Sequence, residues 1–103
     1  MTGAGVPDLN GCAKGKEFWV ELKEIHSGNQ LTLRPMQISW IAKRAMHGGQ
    51  VFVLARKNSE IKLFHVDGLE GIKELVKGGF KSKALLTLTI PYDWEALNTA
   101  LLS

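Results

Sequence analysis

The stretch Glu17-Phe18-Trp19-Val20-Glu21-Leu22-Lys23-Glu24-Ile25 decides the reading of the fold. Its residues alternate with a period of two, the signature of a strand with two different faces. Phe18, Val20 and Leu22 fall on one face, and Trp19, Glu21 and Lys23 on the other. Upstream, Val6-Pro7-Asp8-Leu9 reads as a brief strand ended by Asn10-Gly11, a turn-forming pair. A connection of hairpin length then joins the two strands.

Downstream, Pro35 to His47 predicts a helix, with Pro35 in its first turn and Gly48-Gly49 at its end. Ile38, Ile41, Ala42 and Ala45 share one stripe of it. Gln50 to Arg56 is nearly continuously apolar, as befits a strand inside a sheet. Lys57-Asn58-Ser59 turns the chain into a return strand, Glu60 to Val66. Asp67 and Glu70 are spaced as a capping box for a helix through Lys77, closed by Gly78-Gly79. Ala84 to Ile90 predicts a strand stopped by Pro91. A last helix from Asp93 to Leu102 carries Trp94, Leu97 and Leu101. The expected fold is α/β, a mixed β-sheet flanked by helices in the order β-β-α-β-β-α-β-α.

The bulk numbers set the frame. The chain has 103 residues, 45% of them hydrophobic, and a formal net charge of +3. That suits one domain spanning residues 1–103 with a mild basic bias, compatible with a polyanionic partner. The single cysteine, Cys12, excludes an internal disulfide framework and points to a reducing compartment. The first residues carry no signal-peptide pattern, and no apolar run reaches the roughly 18–20 residues of a membrane span. The expectation is a soluble, intracellular protein with no membrane partner.

Chemistry concentrates in three residues: Asp8, at the end of the short strand, and Glu21 and Lys23, side by side on the next. Each alone reads as an ordinary turn or solvated strand residue. Paired strands would let Asp8 and Glu21 converge, and two converging carboxylates repel unless a cation lies between them. Mg²⁺ takes oxygen ligands, one or two carboxylates with several waters, and a coordinated water is acidic enough to attack a phosphodiester. A neighbouring Lys23 ammonium can orient that water and offset charge on the pentacovalent phosphate.

Four segments in order carry a resemblance: Gly5-Val6-Pro7-Asp8-Leu9, Phe18-Trp19-Val20-Glu21-Leu22-Lys23, Pro35-Met36-Gln37-Ile38-Ser39-Trp40, and Gly48-Gly49-Gln50-Val51-Phe52-Val53-Leu54. Over residues 5 to 56 the sequence resembles the virus-type replication-repair nucleases of the PD-(D/E)xK superfamily, relatives of Holliday-junction resolvases and restriction enzymes. The resemblance implies a restriction-endonuclease-like core and a PD-(D/E)xK nuclease domain. It implies a Mg²⁺- or Mn²⁺-dependent, structure-selective endonuclease that hydrolyses phosphodiesters in branched DNA, such as Holliday junctions or flaps, in replication, recombination or repair. Asp8, Glu21 and the backbone carbonyl of Leu22 would hold the metal, Lys23 would be the catalytic lysine, and Gln37 would face the site. A homodimer acting on a four-way junction is expected, in a bacterial or phage-infected cytoplasm.

Two departures stand against the pattern. Arg34 occupies the position before the helix proline, where the family has a small capping residue; arginine is a poor cap but can meet a phosphate. The family's first helix, with a further acidic residue, is absent from the expected order, so a partner subunit is one source of the missing carboxylate and cover.

Gln37 has a second reading as a capping residue at the helix start. Trp40 reads as packing, and Trp19 as packing or a base-stacking surface. His26, His47 and His65 lack metal-ligand spacing. Lys14, Lys16, Arg34, Lys43 and Arg44, with Arg56 and Lys57, each read singly as solvated charges and together as a phosphate-binding rim. Lys73, Lys77, Lys81 and Lys83 form a second basic stretch. Two further functions stay open: a non-catalytic nucleic-acid-binding module or subunit that needs a partner for cleavage, and, with little surface for long base sequences, a site-specific nuclease.

Overall fold

The computed structural model describes residues 9–13 and 16–102, the side chains of Ala13 and Lys16 excepted. These residues form an α/β fold with a five-stranded mixed sheet and three α-helices. The strands are β1 (Leu9–Ala13), β2 (Lys16–Ile25), β3 (Gln50–Lys57), β4 (Glu60–Val66) and β5 (Leu86–Leu88). The helices are α1 (Pro35–Met46), α2 (Leu69–Gly78) and α3 (Trp94–Leu102). The sheet keeps chain order, β1-β2-β3-β4-β5, so β3 is the middle strand. Only β2 and β3 run parallel, and α1 makes the crossover between them; the other neighbours are antiparallel.

The alternation of β2 sorts the core into two layers. On the first face Ile25, Val51, Val53, Ala55, Phe64 and Val66 pack with Ile41 of α1 and Ile72 and Leu75 of α2. On the second face Val20, Phe52 and Leu63 pack with Phe18, Leu54 and Leu86 under Leu97, Ala100 and Leu101 of α3. Leu31 and Leu33, just before α1, join the first layer and anchor the crossover. The stripe of α1 behaves as its spacing dictates: Ile41 is fully buried, with Ile38 and Ala42 packed beside it. The helix ends where Gly48 takes a positive φ of 83°, a conformation glycine adopts without steric cost. The radius of gyration, 13.0 Å, matches the value of about 13 Å for a compact chain of this length.

Four local expectations differ from the structure. Asn10 and Gly11 do not turn the chain; they lie inside β1, opposite Trp19 and Phe18. Asn10 Nδ2 donates to the Phe18 carbonyl at 3.1 Å, and the Phe18 ring lies over the bare Cα of Gly11. Glycine is needed there for ring contact rather than for turning. Asp67 does not cap α2, whose N-cap is Gly68 with no side-chain cap. β5 holds only Leu86–Leu88, because only Leu86, Thr87 and Leu88 pair with β4. In α3, Leu97 and Leu101 reach the core while Trp94 stays exposed beside Tyr92. Asp93 precedes this helix and accepts a hydrogen bond from Ala96 N at 3.0 Å, the capping geometry expected of an aspartate.

Candidate active site

Glu21 and Lys23 lie two residues apart on the first face of β2, the strand period placing both toward α1. Glu21 is 4% exposed, and so is Gln37, at the third position of α1; they are the buried polar residues among the described core. Gln37 Nε2 donates to Glu21 Oε2 at 2.6 Å. Its other amide atom, Oε1, accepts from the Arg34 backbone N–H at 3.0 Å and from Lys23 Nζ at 3.3 Å. The Lys23 ammonium is also 3.5 Å from Glu21 Oε2.

This network fixes the amide orientation of Gln37. Reversed, its oxygen would face a carboxylate and its NH₂ would face two donors. Gln37 thus bonds in two directions. It satisfies an orphan N–H at the start of α1, as a capping residue does, and it contacts both Glu21 and Lys23. The reciprocal half of a capping box is missing, because the Arg34 guanidinium has no acceptor to offer. Pro35 helps in a different way: lacking an N–H, it leaves one fewer orphan donor in the turn that faces Glu21.

Electrostatically the cluster is one buried carboxylate, one amide and one partly exposed ammonium, with Lys23 at 23% side-chain exposure. In this setting a charge-assisted hydrogen bond is shorter and stronger than a neutral one, consistent with the 2.6 Å contact. Leu22 sits between Glu21 and Lys23, with its side chain on the opposite face, 44% exposed. Asp8 lies outside the described residues; the chain runs from it directly into Leu9, whose partner across the hairpin is Val20, next to Glu21.

The donor chemistry suits a hard cation. The candidate donors are the Glu21 carboxylate, the Leu22 carbonyl and, from the sequence, Asp8, all oxygen ligands of the kind Mg²⁺ and Mn²⁺ prefer. Among the described residues no group of three His, Cys, Asp or Glu side chains gathers to hold an ion.

The basic residues divide. Arg34 is exposed at the N-cap of α1, adjoining Gln37. Lys43 and Arg44 lie exposed in the last turn of the same helix. Lys14 and the Lys16 side chain lie outside the described residues. Arg56 faces away from Glu21: it pairs in register with Glu24 on the second face, Nη2 to Oε1 at 2.6 Å. This contact holds the Glu24 carboxyl below its ordinary pKa, first through the hydrogen bond and then through the charge of Arg56. Lys57 is tied to Asn29 Oδ1 at 3.2 Å. Of the second basic stretch, Lys73 is within 3.6 Å of Glu70 in an exposed pair.

Sequence reasoning missed one arrangement. Trp19 and Trp40 meet edge to face, centroids 4.8 Å apart, and the Arg44 guanidinium carbon lies 5.3 and 5.1 Å from the two ring centroids. The signal was present in the i, i+4 spacing of Trp40 and Arg44 on a helix.

In comparison with known proteins, no family model and no curated protein matches this sequence. Among the described residues, no helix is long and apolar enough to cross a membrane.

Proposed function

We propose that the chain is a metal-dependent, structure-selective endonuclease that hydrolyses phosphodiesters in branched DNA, with Asp8, Glu21 and Lys23 at its active site and a restriction-endonuclease-like core. The observation that carries this reading is the Glu21–Gln37–Lys23 network: a buried carboxylate oriented by an amide, with an ammonium 3.5 Å away. The ordered resemblance of residues 5 to 56 to the virus-type replication-repair nucleases supports it from the sequence side.

Asp8, Glu21 and the Leu22 carbonyl would hold Mg²⁺ or Mn²⁺. Bound there, the ion supplies an acidified water and charge stabilisation at phosphorus. The protein's own groups do the rest. Gln37 fixes the plane of the Glu21 carboxylate, so that its direction is set before substrate arrives. The Lys23 ammonium donates to a non-bridging phosphate oxygen as negative charge builds. Water adds to phosphorus as the bond to the leaving sugar oxygen breaks, and the leaving oxygen takes up a proton. The products are a phosphomonoester end and a hydroxyl end. A homodimer with two such sites would match the two-fold symmetry of a four-way junction.

The test is cleavage of a labelled four-way junction, a flap, a plain duplex and a single strand with Mg²⁺ or Mn²⁺. Lys23→Ala is the control. Junction or flap cleavage that disappears in the variant, with folding and binding kept, supports the reading. Binding without cleavage by the wild type moves the chain to the non-catalytic module, and neither binding nor cleavage refutes both.

A further inference from the structure

The Trp19–Trp40–Arg44 cluster lies on the same face of the sheet as Glu21 and Lys23, at the next step along β2. Trp19 and Glu21 are two residues apart in the strand, a rise of about 6.6 Å. The Arg44 stem crosses bare Gly49, and its guanidinium rests in the corner between two indoles inclined at 69°. None of the ion pairs among the described residues uses Arg44. A guanidinium held against aromatic rings keeps its N–H groups, which lie in its own plane, available to a planar or tetrahedral anion. Fixing the side chain in advance also removes part of the ordering cost that a flexible surface arginine meets on binding.

We propose that Arg44, held by Trp19 and Trp40, grips a phosphate about two steps from the scissile one and so sets the register of the DNA strand over Glu21 and Lys23. This rests on the nuclease reading above. Trp19 and Lys23 are four residues apart on β2, a rise of about 13 Å, the length scale of two steps along a sugar–phosphate backbone. A cation at that distance contacts a phosphate two steps away when the scissile phosphate is at Lys23. The indoles explain why arginine rather than lysine stands here: the planar cation packs on aromatic rings, whereas an ammonium is a compact, strongly hydrated point charge.

The experiment uses whichever labelled DNA the wild-type protein cuts, with the cut site mapped and single methylphosphonates then placed at each phosphate flanking it. In the wild type, a neutral group at one phosphate about two steps from the cut is expected to weaken binding about 5- to 10-fold, the loss of one phosphate contact. In Arg44→Gln, which keeps the stem over Gly49, the same methylphosphonate should change binding by less than about 2-fold, and the salt slope on the unmodified DNA should fall by about 0.9. Arg44→Lys should fall between the two. Equal methylphosphonate costs in wild type and Arg44→Gln overturn the contact. A lysine variant indistinguishable from wild type overturns the part played by the indoles. Thermal unfolding checks that the variants fold; if Arg44→Gln does not, the methylphosphonate series on Arg44→Lys decides, with an undiminished cost at every position overturning the contact. A wild type that binds and cuts none of the DNAs overturns the nuclease reading and this inference with it. Normal cutting with no sensitive phosphate at that distance overturns this inference alone.

Discussion

Replacing Gln37 with leucine keeps the side-chain volume and removes three hydrogen bonds at once: to Glu21 Oε2, from Arg34 N and from Lys23 Nζ. The bond to the buried Glu21 carboxylate is charge-assisted and stabilises by about 1.5–3 kcal/mol. Satisfying the first-turn N–H adds about 1 kcal/mol. The long Lys23 contact adds roughly 0.5 kcal/mol. Burying leucine in place of glutamine returns about 1.5 kcal/mol, leaving a net loss of roughly 2 kcal/mol. A chain of 103 residues unfolds with an entropy of about 0.22 kcal/mol per kelvin, so the melting temperature should fall by about 9 °C. Gln37→Glu separates the electrostatic part. The introduced carboxylate faces Glu21, so the pair holds a proton more tightly when folded than when unfolded. The penalty is absent below the unfolded carboxylate pKa and grows as pH rises through the raised folded one. Melting at pH 5 and pH 7.5 reads both effects. A fall below about 3 °C for Gln37→Leu, or a Gln37→Glu protein no less stable at pH 7.5 than at pH 5, would refute the network as described.

Three further outcomes follow from the packing and charge. The Glu24 carboxyl should titrate below an ordinary glutamate in an NMR pH series and return towards normal in Arg56→Gln. Because its folded pKa is depressed, the pair's small contribution is present above the unfolded pKa and is lost as pH falls through the folded one. Ile41→Ala empties a fully buried position between α1 and the sheet. It should cost about 3 kcal/mol by chemical denaturation with an unchanged m-value; a cost under about 1 kcal/mol would place α1 off the core. Gly79 combines a φ of 59° with a close approach to the Asn29 backbone, where Phe80 N donates to Asn29 O at 2.7 Å. Gly79→Ala should therefore destabilise by more than about 1 kcal/mol, and a neutral result in the same denaturation assay would count against that contact.

Much of the sheet was legible because its signals are local. The two faces of β2, the stripe of α1 and the β3–β4 hairpin each follow from a periodicity carried by the residues themselves. Glu21 and Lys23 were nameable for the same reason, because they share a strand face; Gln37 was named only through the resemblance of residues 35 to 40 to the nuclease family. What the sequence did not show was tertiary. Asn10-Gly11 has turn chemistry, yet the Phe18 ring across the hairpin needs a residue without a side chain, and that contact outweighs local preference. Asp67 has capping chemistry, yet Gly68 takes the N-cap. Arg56 looked like part of a basic rim until the register placed it opposite Glu24 on the far face. Arg44 looked like solvent-facing charge until β2 brought Trp19 beneath it.

The position of Glu21 is itself an argument. Across the sheet its row continues through Val53 and Phe64, both buried and apolar. The rows on either side also place apolar Val51 and Ala55 on the first face of β3. A valine or leucine at position 21 would extend this layer without any need for Gln37 or Lys23. A buried ion pair of similar volume is often no more stabilising than a well-packed apolar group, and it is costly when one partner is lost. Core packing therefore gives no reason for a carboxylate here, and the amide that bonds it also serves the start of the next helix. Local choices that run against core packing concentrate where chemistry is done. A buried carboxylate bonded to an amide and beside an ammonium is an arrangement the proposed phosphodiester hydrolysis would use, and the packing of this sheet does not require it.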